Sequence, residues 1–269
     1  IDAREPAKIV AAVEANPKAA ALTYGVLRGG DTVMQTAVRM GKPFCYVDHG
    51  YLASAKGFYR LVVNDHIHRG GVSADMARLE KLGLKLAPWR QSGPKDPILV
   101  SPPTPWWRDF CQAWYYEIDT KRTLNDLVPN RPVLVSRKND TRTADASYYL
   151  PRSHLVVTYI SNIAIDALLA GIPSLIKFAD LENTDVEDPP KPDREAYLAY
   201  LANNQWTLDE LTGGAATDTI LADLANAAAA PIVDAGGSDG GGRPLDGDAL
   251  RPSVPHRTAR RPGRPRRKK

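Results

Sequence analysis

The stretch VTYISNIAIDALLAGIPSLI, residues 157–176, contains an apolar strand, a polar turn, an apolar helix, a Gly-Ile-Pro break and a second strand. Continuous apolar strands on either side of a helix are typical of a parallel sheet that is buried on both faces. Ser161 and Asn162 stand where the first strand meets the helix, and Asp166 is the one carboxylate inside the helix. The stretch therefore predicts a βαβ unit with polar groups at one end.

Strands and helices alternate along most of the chain. Apolar runs that end in polar residues predict strands, and periodic segments with capping residues predict further helices. The predicted strands are 21–25, 43–50, 58–65, 98–103, 131–138, 154–160 and 173–178. The further helices are 3–15, 31–40, 72–83 and 106–122, and the segment 194–214 forms one or two more. This order predicts an α/β protein whose two halves meet near residues 100–110.

The size and composition of the chain narrow its class. Its 269 residues are enough for one large domain or two small ones, each with a hydrophobic core. No run approaches the about 18–20 apolar residues of a membrane-spanning helix, and no signal-peptide pattern is present. We therefore expect a cytoplasmic protein without a membrane partner, in which Cys45 and Cys111 are reduced thiols.

Charge is divided unevenly between the body and the carboxyl-terminal tail. Residues 251–269 contain nine Lys or Arg and no acid, so the net charge of +4 for the chain leaves −5 for residues 1–250. A block of like charge predicts a polyanionic partner for the tail rather than for the whole surface. Few large apolar residues follow residue 214, and this composition predicts disorder beyond about residue 230.

Polar residues gather at the predicted carboxyl ends of strands, where open parallel sheets bind their ligands. The four clusters are Arg28-Gly29-Gly30, Asp48-His49-Gly50, Arg137-Lys138 and Ser161-Asn162. Free backbone N–H groups at the start of a helix predict a phosphate site at Ser161 and Asn162. Asp166, about one turn further on, either accepts hydrogen bonds from sugar hydroxyls or is a solvated acid near the positive end of the helix. Both interpretations of Asp166 remain open at this point.

The segment SNIAIDALLAGIP, residues 161–173, resembles the donor-site helix of the GT-B glycosyltransferases, in which a helix N-terminus holds a diphosphate and an acid holds the sugar. Asp166 stands where members of that family usually have Glu. YGVLRGGDTVMQTAVRMGKPFCYVDHGYL and REAYLAYLANNQWTLDELTGGAA, residues 24–52 and 194–216, resemble parts of a phage group of these enzymes. The similarity is to phage enzymes that glycosylate hydroxymethylated pyrimidines in DNA, and it covers most of residues 20–216.

The resemblance implies a GT-B-like fold, with two Rossmann-like domains and a cleft between them. Residues 1–103 would form the acceptor-side domain, residues 104–216 the nucleotide-sugar-binding domain, and residues 217–269 a low-complexity linker with a disordered basic tail. The implied enzyme is a monomer that acts in the cytoplasm, the host cytoplasm if the chain is phage-encoded. Its partner is double-stranded DNA bearing modified bases.

The implied reaction transfers a sugar from a nucleotide sugar, expected to be a UDP-sugar, which is a co-substrate rather than a permanently bound cofactor. The donor-binding residues would be Arg137, Lys138, Ser161, Asn162 and Asp166. No metal is expected, because cationic side chains and the helix dipole would stabilise the diphosphate leaving group. Three alternatives remain open: a glycan or small-molecule acceptor, a DNA-binding module without catalysis, and a solvated loop at the Arg137-Lys138 pair.

A hydroxyl acceptor must lose a proton as it attacks, and the acceptor half would supply the base. His49 is the predicted base, with Asp48 as its partner or as the second candidate. Adjacent residues of a strand point to opposite faces, so this pair requires the strand to end before Gly50. The alternative for His49 is a structural, hydrogen-bonded histidine. Further predicted acceptor-side residues are Arg28, Gly29, Gly30 and Tyr51.

His66 and His68 would place two imidazoles on one face of a strand, which suggests metal binding. A protein metal site usually needs a third ligand, and none is evident nearby. We therefore expect a surface or acceptor-groove role for these histidines.

Four aromatic residues, Trp106, Trp107, Phe110 and Trp114, recur at helical spacing. Such spacing is typical of a helix face buried in a core, although the rings of single-strand binders that stack on bases are also aromatic. We favour the core interpretation.

The tail sequence ARRPGRPRRKK, residues 259–269, contains Gly263, Arg264 and Pro265 and has Arg261 before them. It resembles the AT-hook, whose GRP core lies in a narrow A·T-rich minor groove that attracts arginine. The alternative is a solubilising basic tail, and either form would attract phosphates.

Overall fold

The computed structural model describes two β-sheets with helices packed around them, a mixed α/β architecture. The residues described are 6–16, 19–26, 29–52, 57–65, 67–68, 71–138, 145–159, 161–176, 181, 184–191 and 193–229. Among them, every helix lacks the combination of length and apolar character that a bilayer-crossing segment needs. Both cysteines are free thiols. The basic tail lies outside the described residues.

The elements follow the predicted alternation. The strands are β1 (Ala21–Tyr24), β2 (Phe44–His49), β3 (Phe58–Val63), β4 (Ile98–Ser101), β5 (Val133–Val135), β6 (Leu155–Thr158), β7 (Ser174–Ile176) and β8 (Gln205–Thr207). The helices are α1 (Pro6–Ala15), α2 (Gly30–Arg39), α3 (Ala77–Lys81), α4 (Pro105–Phe110), α5 (Tyr116–Leu127), α6 (Ala146–Tyr149), α7 (Ile163–Leu169), α8 (Arg194–Asn203), α9 (Leu208–Thr212) and α10 (Thr217–Ala229).

The second sheet is all parallel, with the strand order β5-β4-β6-β7. Every residue of β4 and β6 is buried, as their continuous apolar sequences predict. On one face Leu124 of α5 joins the core cluster of the sheet, and on the other face Ile163 and Ala167 of α7 do so. Helices therefore cover both faces, and the βαβ unit predicted from residues 157–176 is confirmed.

The first sheet is mixed, with the order β1-β2-β3-β8. β1 and β2 are parallel, whereas β3 is antiparallel to both β2 and β8. This differs from the expectation of a second parallel unit. Only residues 50–57 join β2 to β3, which is fewer than the roughly dozen residues that a parallel crossover requires. The chain must therefore return antiparallel after β2.

The division of strands between the two sheets differs from the predicted domains, residues 1–103 and 104–216, at two strands. β4 lies inside the second sheet, although it precedes residue 104, and β8 completes the first sheet from the far end of the chain. The side-chain amide of Gln205 explains the position of β8. Its Oε1 accepts from the backbone N–H of Leu52, and its Nε2 donates to the Leu52 carbonyl, each at 2.9 Å.

The long helix predicted at 106–122 is divided in the structure, and 194–214, predicted as one or two helices, forms two. The segment 106–122 is split between α4 and α5, and Gln112 in the turn between them has a φ of 53°. The segment 194–214 is split by β8, after which Thr207 caps α9. Trp106 and Trp107 of α4 pack against the core of the first sheet, so the core interpretation is confirmed for these two rings. Trp114 is instead 57% exposed.

Helix α7 contributes to two separate hydrophobic clusters. Ile163 and Ala167 face the second sheet, while Ile165 packs in a separate cluster with Tyr51 and with Leu198 of α8. This packing brings the start of α7 next to the turn that follows β2.

Candidate functional site

The strand order of the second sheet reverses between β4 and β6, and this topological switch point is where open α/β sheets bind ligands. The hydroxyl of Thr158 donates to the Ser101 carbonyl at 2.8 Å, which joins the carboxyl ends of the two strands. Thr158 Oγ1 also accepts from the backbone N–H of Ser161 at 3.2 Å, and Ser161 Oγ accepts from Ile163 N at 3.3 Å. The polar turn before α7 is therefore fixed at the switch point.

Asp166 lies in the first turn of α7 and is exposed. Partial desolvation by the surrounding protein raises the pKa of its carboxyl. The helix start and the acid thus lie on the same short helix, as predicted.

The cations Arg137 and Lys138 follow β5 at the same edge of the sheet, and both are exposed. Glu117 of α5 pairs with the Arg137 guanidinium through two hydrogen bonds, one of them 2.8 Å from Nε to Oε2. β4 separates β5 from β6, so two strand spacings, about 10 Å, lie between these cations and the turn before α7. A ligand that touched both groups would have to be longer than a single phosphate.

The side chain of Asn162 joins the two sheets. Its Nδ2 donates to the Gly50 carbonyl at 3.2 Å, and its Oδ1 accepts from NH1 of Arg60 at 3.2 Å. Sequence reasoning placed Asn162 at the helix start, which is correct, and expected a phosphate at the free backbone N–H groups there, without a role for the side-chain amide. The structure uses both ends of that amide in contacts with the first sheet.

Arg60, in the middle of β3, is a buried cation that sequence reasoning missed. It is 6% exposed, and its NH2 lies 3.1 Å from Oδ2 of Asp48. The guanidinium also donates to the His49 carbonyl and lies 4.8 Å from the centre of the Tyr51 ring. Within the part of the chain that the structure describes, the Nε–H group of Arg60 is buried without a hydrogen-bond partner. A single arginine inside the apolar run FYRLVV was the available signal.

The predicted pairing of Asp48 with His49 is wrong. β2 extends through both residues, so their side chains point to opposite faces of the sheet. Gly50 does not end the strand early, because its N–H donates to the Phe58 carbonyl at 2.8 Å and prolongs the ladder. A Cβ at Gly50 would lie 2.8 Å from Cβ of Phe58, so glycine permits this close approach.

The two side chains have different surroundings. Asp48 faces Arg60, and its Oδ2 accepts from the hydroxyl of Tyr46 at 2.8 Å. His49 is exposed on the other face and lies beside the rings of Tyr24 and Tyr59. The carboxylate, and not the imidazole, is therefore directed toward the start of α7.

A small cavity lies between the two halves, beside Asn162. Its lining residues are Tyr51, Ile67, His68, Ser161, Asn162, Ile165, Ile176 and Tyr197. The backbone N–H of His68 donates to the Tyr51 hydroxyl at 2.6 Å, and the same hydroxyl forms a hydrogen bond with Nδ1 of His68, 3.1 Å away. Burial, together with the nearby Arg60 charge, lowers the pKa of His68 to about 4.

Metal binding by His66 and His68 was the alternative to a surface or acceptor-groove role for these histidines. His66 lies outside the described residues, and within the described ranges no group of three or more His, Cys, Asp or Glu side chains is arranged to hold a metal ion. His68 makes the Tyr51 contact instead.

Close packing accounts for the two glycines predicted on the acceptor side. Gly29 precedes α2 with a φ of 87°, and a Cβ there would lie 2.5 Å from Cγ of Pro6. A Cβ on Gly30 would lie 2.4 Å from Oγ1 of Thr23 in β1. Arg28, from the same cluster, lies outside the described residues, as do the tail residues Arg261, Gly263, Arg264 and Pro265.

Comparison of the chain with models of known protein families and with curated protein sequences gives no match.

Proposed function

We propose that the protein is a glycosyltransferase that moves a sugar from a UDP-sugar to hydroxymethylated pyrimidine bases in DNA. The observation that carries this proposal is the polar turn at Ser161 and Asn162. It lies at the switch point of the parallel sheet and meets the Asp48–Arg60 pair of the first sheet. In this proposal the two sheets serve as donor and acceptor halves, as in a GT-B arrangement.

The donor would lie outside the carboxyl ends of β4 and β6. Arg137 and Lys138 would neutralise the diphosphate as it leaves, and the separation of about 10 Å between them and the α7 turn suits an extended diphosphate. Arg137 would exchange the Glu117 carboxylate for phosphate oxygens, which are equally good partners for a guanidinium. Asp166 would accept hydrogen bonds from sugar hydroxyls.

Asp48 would accept the proton from the acceptor hydroxyl. The reason is its position, because it is directed toward the cleft side of the first sheet while His49 is on the opposite face. Tyr46 and Arg60 hold one carboxylate oxygen in place, and Oδ1 accepts from the backbone N–H of His49. A base oriented in this way needs no imidazole partner.

The basic tail supports DNA as the polymer that carries the acceptor. Nine Lys or Arg in residues 251–269 supply attraction for phosphates, whereas the remainder of the chain carries −5. An AT-hook-like segment would add a preference for A·T-rich duplex without taking part in the chemistry.

The test is mass spectrometry of nucleosides from hydroxymethylated DNA after incubation with the protein and a panel of nucleotide sugars. The expected result is a hydroxymethylpyrimidine nucleoside heavier by one sugar residue, produced from a UDP-sugar. Asp48→Asn should lower kcat by about 10² to 10⁴-fold, the range typical of a general base. Asp31→Asn, in the first turn of α2, is the matched control and should keep its turnover.

Failure to modify any nucleoside with every sugar in the panel would contradict the proposal. A folded Asp48→Asn variant with normal turnover would remove Asp48 from the mechanism while leaving the transfer itself in place.

A further inference from the structure

Three aromatic rings meet at one end of the first sheet, where Tyr24 and His49 are exposed and Tyr59 is half-buried. Tyr24, His49 and Tyr59 come from three neighbouring strands and share one face, because Tyr24 is in register with Val47 and His49 with Tyr59. The ring centroids are 6.3 Å apart for Tyr24–His49, 6.2 Å for Tyr24–Tyr59 and 6.1 Å for His49–Tyr59. We call these three residues the ring face.

Part of this side of the sheet is covered. Helix α10 packs against β3, and Asp223 of that helix lies close enough to help raise the pKa of the buried Cys45 thiol. Trp206 of β8, in register with Tyr59, is also buried. By contrast, Tyr24 is 57% exposed and its neighbour on the same face, Leu22, is 60% exposed. Contiguous exposed apolar surface of this kind marks interaction sites.

The chemistry of the rings favours flat, unpaired nucleobases as the partner. Bases stack on Tyr and His rings whatever their sequence, and sheet surfaces with two or three exposed aromatic residues bind single strands in this way. A duplex keeps its base faces inside the stack, so it cannot use such a surface.

The charge of the chain fits the same partner. α10, which packs on this sheet, ends at Ala229, and the cations of residues 251–269 follow in sequence. Residues 230–250 span at most about 75 Å when fully extended, which is enough for the tail to reach a strand lying across the ring face. Stacking from the rings and phosphate attraction from the tail would then act on one molecule.

We propose that the ring face is a binding site for the bases of single-stranded nucleic acid. The proposal does not depend on sugar transfer, because binding requires no donor. A polysaccharide and a second copy of the chain are the competing occupants, and the experiment distinguishes them.

The experiment measures binding of the full chain to a fluorescent single-stranded oligodeoxythymidine and to an abasic oligomer of equal length. Tyr24→Ala together with His49→Ala should weaken oligodeoxythymidine binding by about tenfold or more, since each stacked base contributes at that level. The same double variant should bind the abasic oligomer as the natural chain does, because only phosphate attraction remains. Tyr24→Phe, which keeps the ring, should retain affinity.

Tyr115→Ala is the matched control, because Tyr115 is 68% exposed and lies far from the ring face at the start of α5. Its affinity should equal that of the natural chain. Circular dichroism verifies that each variant is folded.

Equal affinity of the natural chain and the folded double variant for oligodeoxythymidine would overturn the proposal. So would a dimer, seen by sedimentation, that the double variant loses, or a maltoheptaose affinity that falls in the double variant while DNA binding does not. No sugar donor is present in this binding assay. A failure of the oligomer to bind would therefore not bear on the proposed transferase activity, and a lack of transferase activity would not bear on binding at the ring face.

Discussion

Arg60 places a permanent positive charge between the two sheets, where few water molecules can solvate it. Such a charge is stable only if its partners are well placed. Here the Asp48 carboxylate, the His49 carbonyl, the Asn162 amide oxygen and the Tyr51 ring surround the guanidinium. Removing the guanidinium would leave the carboxylate without its partner and would free Asn162 Oδ1.

We expect Arg60→Leu to lower the free energy of unfolding by about 3 kcal/mol, because breaking a buried ion pair on one side leaves the other charge uncompensated. Urea denaturation measures the change. The matched control is Arg39→Leu, whose side chain is 71% exposed beside Glu14 and should contribute under about 1 kcal/mol. Similar losses for the two variants would contradict the structural role of Arg60.

Sequence reasoning at the residue scale succeeded where the information is local and failed where it is not. The positions of Ser161 and Asn162 at a helix start follow from their immediate neighbours. The partners of Asn162 do not, because Arg60 and Gly50 are 102 and 112 residues away. His49 was assigned to the wrong face because the strand was expected to end before the Asp48–His49 pair, whereas β2 extends through His49.

At the scale of elements, the break between α8 and α9 had a readable signal. Thr207 and Glu210 in the sequence TLDE form a capping box, which marks the start of a new helix inside the segment 194–214, predicted as one or two helices. Glu210 also accepts from both terminal nitrogens of Arg78 in α3, at 2.9 and 2.8 Å. One carboxylate thus anchors α9 to α3.

The Glu210 contacts predict a dependence of stability on pH. The hydrogen bonds from Arg78, followed by those from Thr207, lower the pKa of Glu210 to about 2. Because the folded pKa lies below the unfolded one, the stabilisation is complete above pH 4.5 or so and is lost as pH falls toward 2. Partial exposure of the pair reduces its size to roughly 1–2 kcal/mol.

Urea denaturation between pH 2 and pH 6 tests this expectation. Glu210→Gln should be less stable than the natural chain at pH 6, and the difference should vanish near pH 2. Asp209→Asn changes an exposed acid of the same helical turn and should leave the profile unaltered. A Glu210→Gln difference that stayed constant across the whole range would argue against an ionised Glu210 as its source.

The two sheets illustrate what the pattern of an element can predict. β4 and β6 are apolar throughout because both faces are covered, and a parallel sheet followed directly from that pattern. β1 alternates buried and exposed residues instead, which belongs to a sheet with one partly open face. The pairing of β3 with β8 is set by contacts distant in the chain, and no local pattern encodes it.

For the whole molecule, the separation of charge is the feature most relevant to DNA. A body of −5 repels a polyanion, and a tail of nine cations attracts it. Approach to DNA should therefore depend on the tail, whereas the chemistry proposed for the cleft should not.

Removal of residues 251–269 should make the affinity for duplex DNA less dependent on salt concentration. In a plot of log affinity against log salt concentration, each phosphate that the protein neutralises adds about −0.9 to the slope. Fluorescence anisotropy with a labelled duplex measures the two slopes. Arg264→Ala is a control that keeps eight of the nine cations, and it should lose preference for A·T-rich duplex while keeping most of the slope. An unchanged slope after truncation would show that the tail does not anchor DNA.

The position of β8 also determines when the protein can finish folding during synthesis. A chain emerging amino end first presents β1, β2 and β3 early, but among the described strands the outer edge of β3 pairs with Gln205–Thr207. At about 5–20 residues per second, roughly 7–30 s separate the appearance of β3 from that of β8. The second sheet, whose strands all fall in that interval, can be assembled while the first is still waiting. The nascent chain therefore carries an unpaired strand edge until β8 appears, and such an edge exposes the ribosome-bound chain to aggregation.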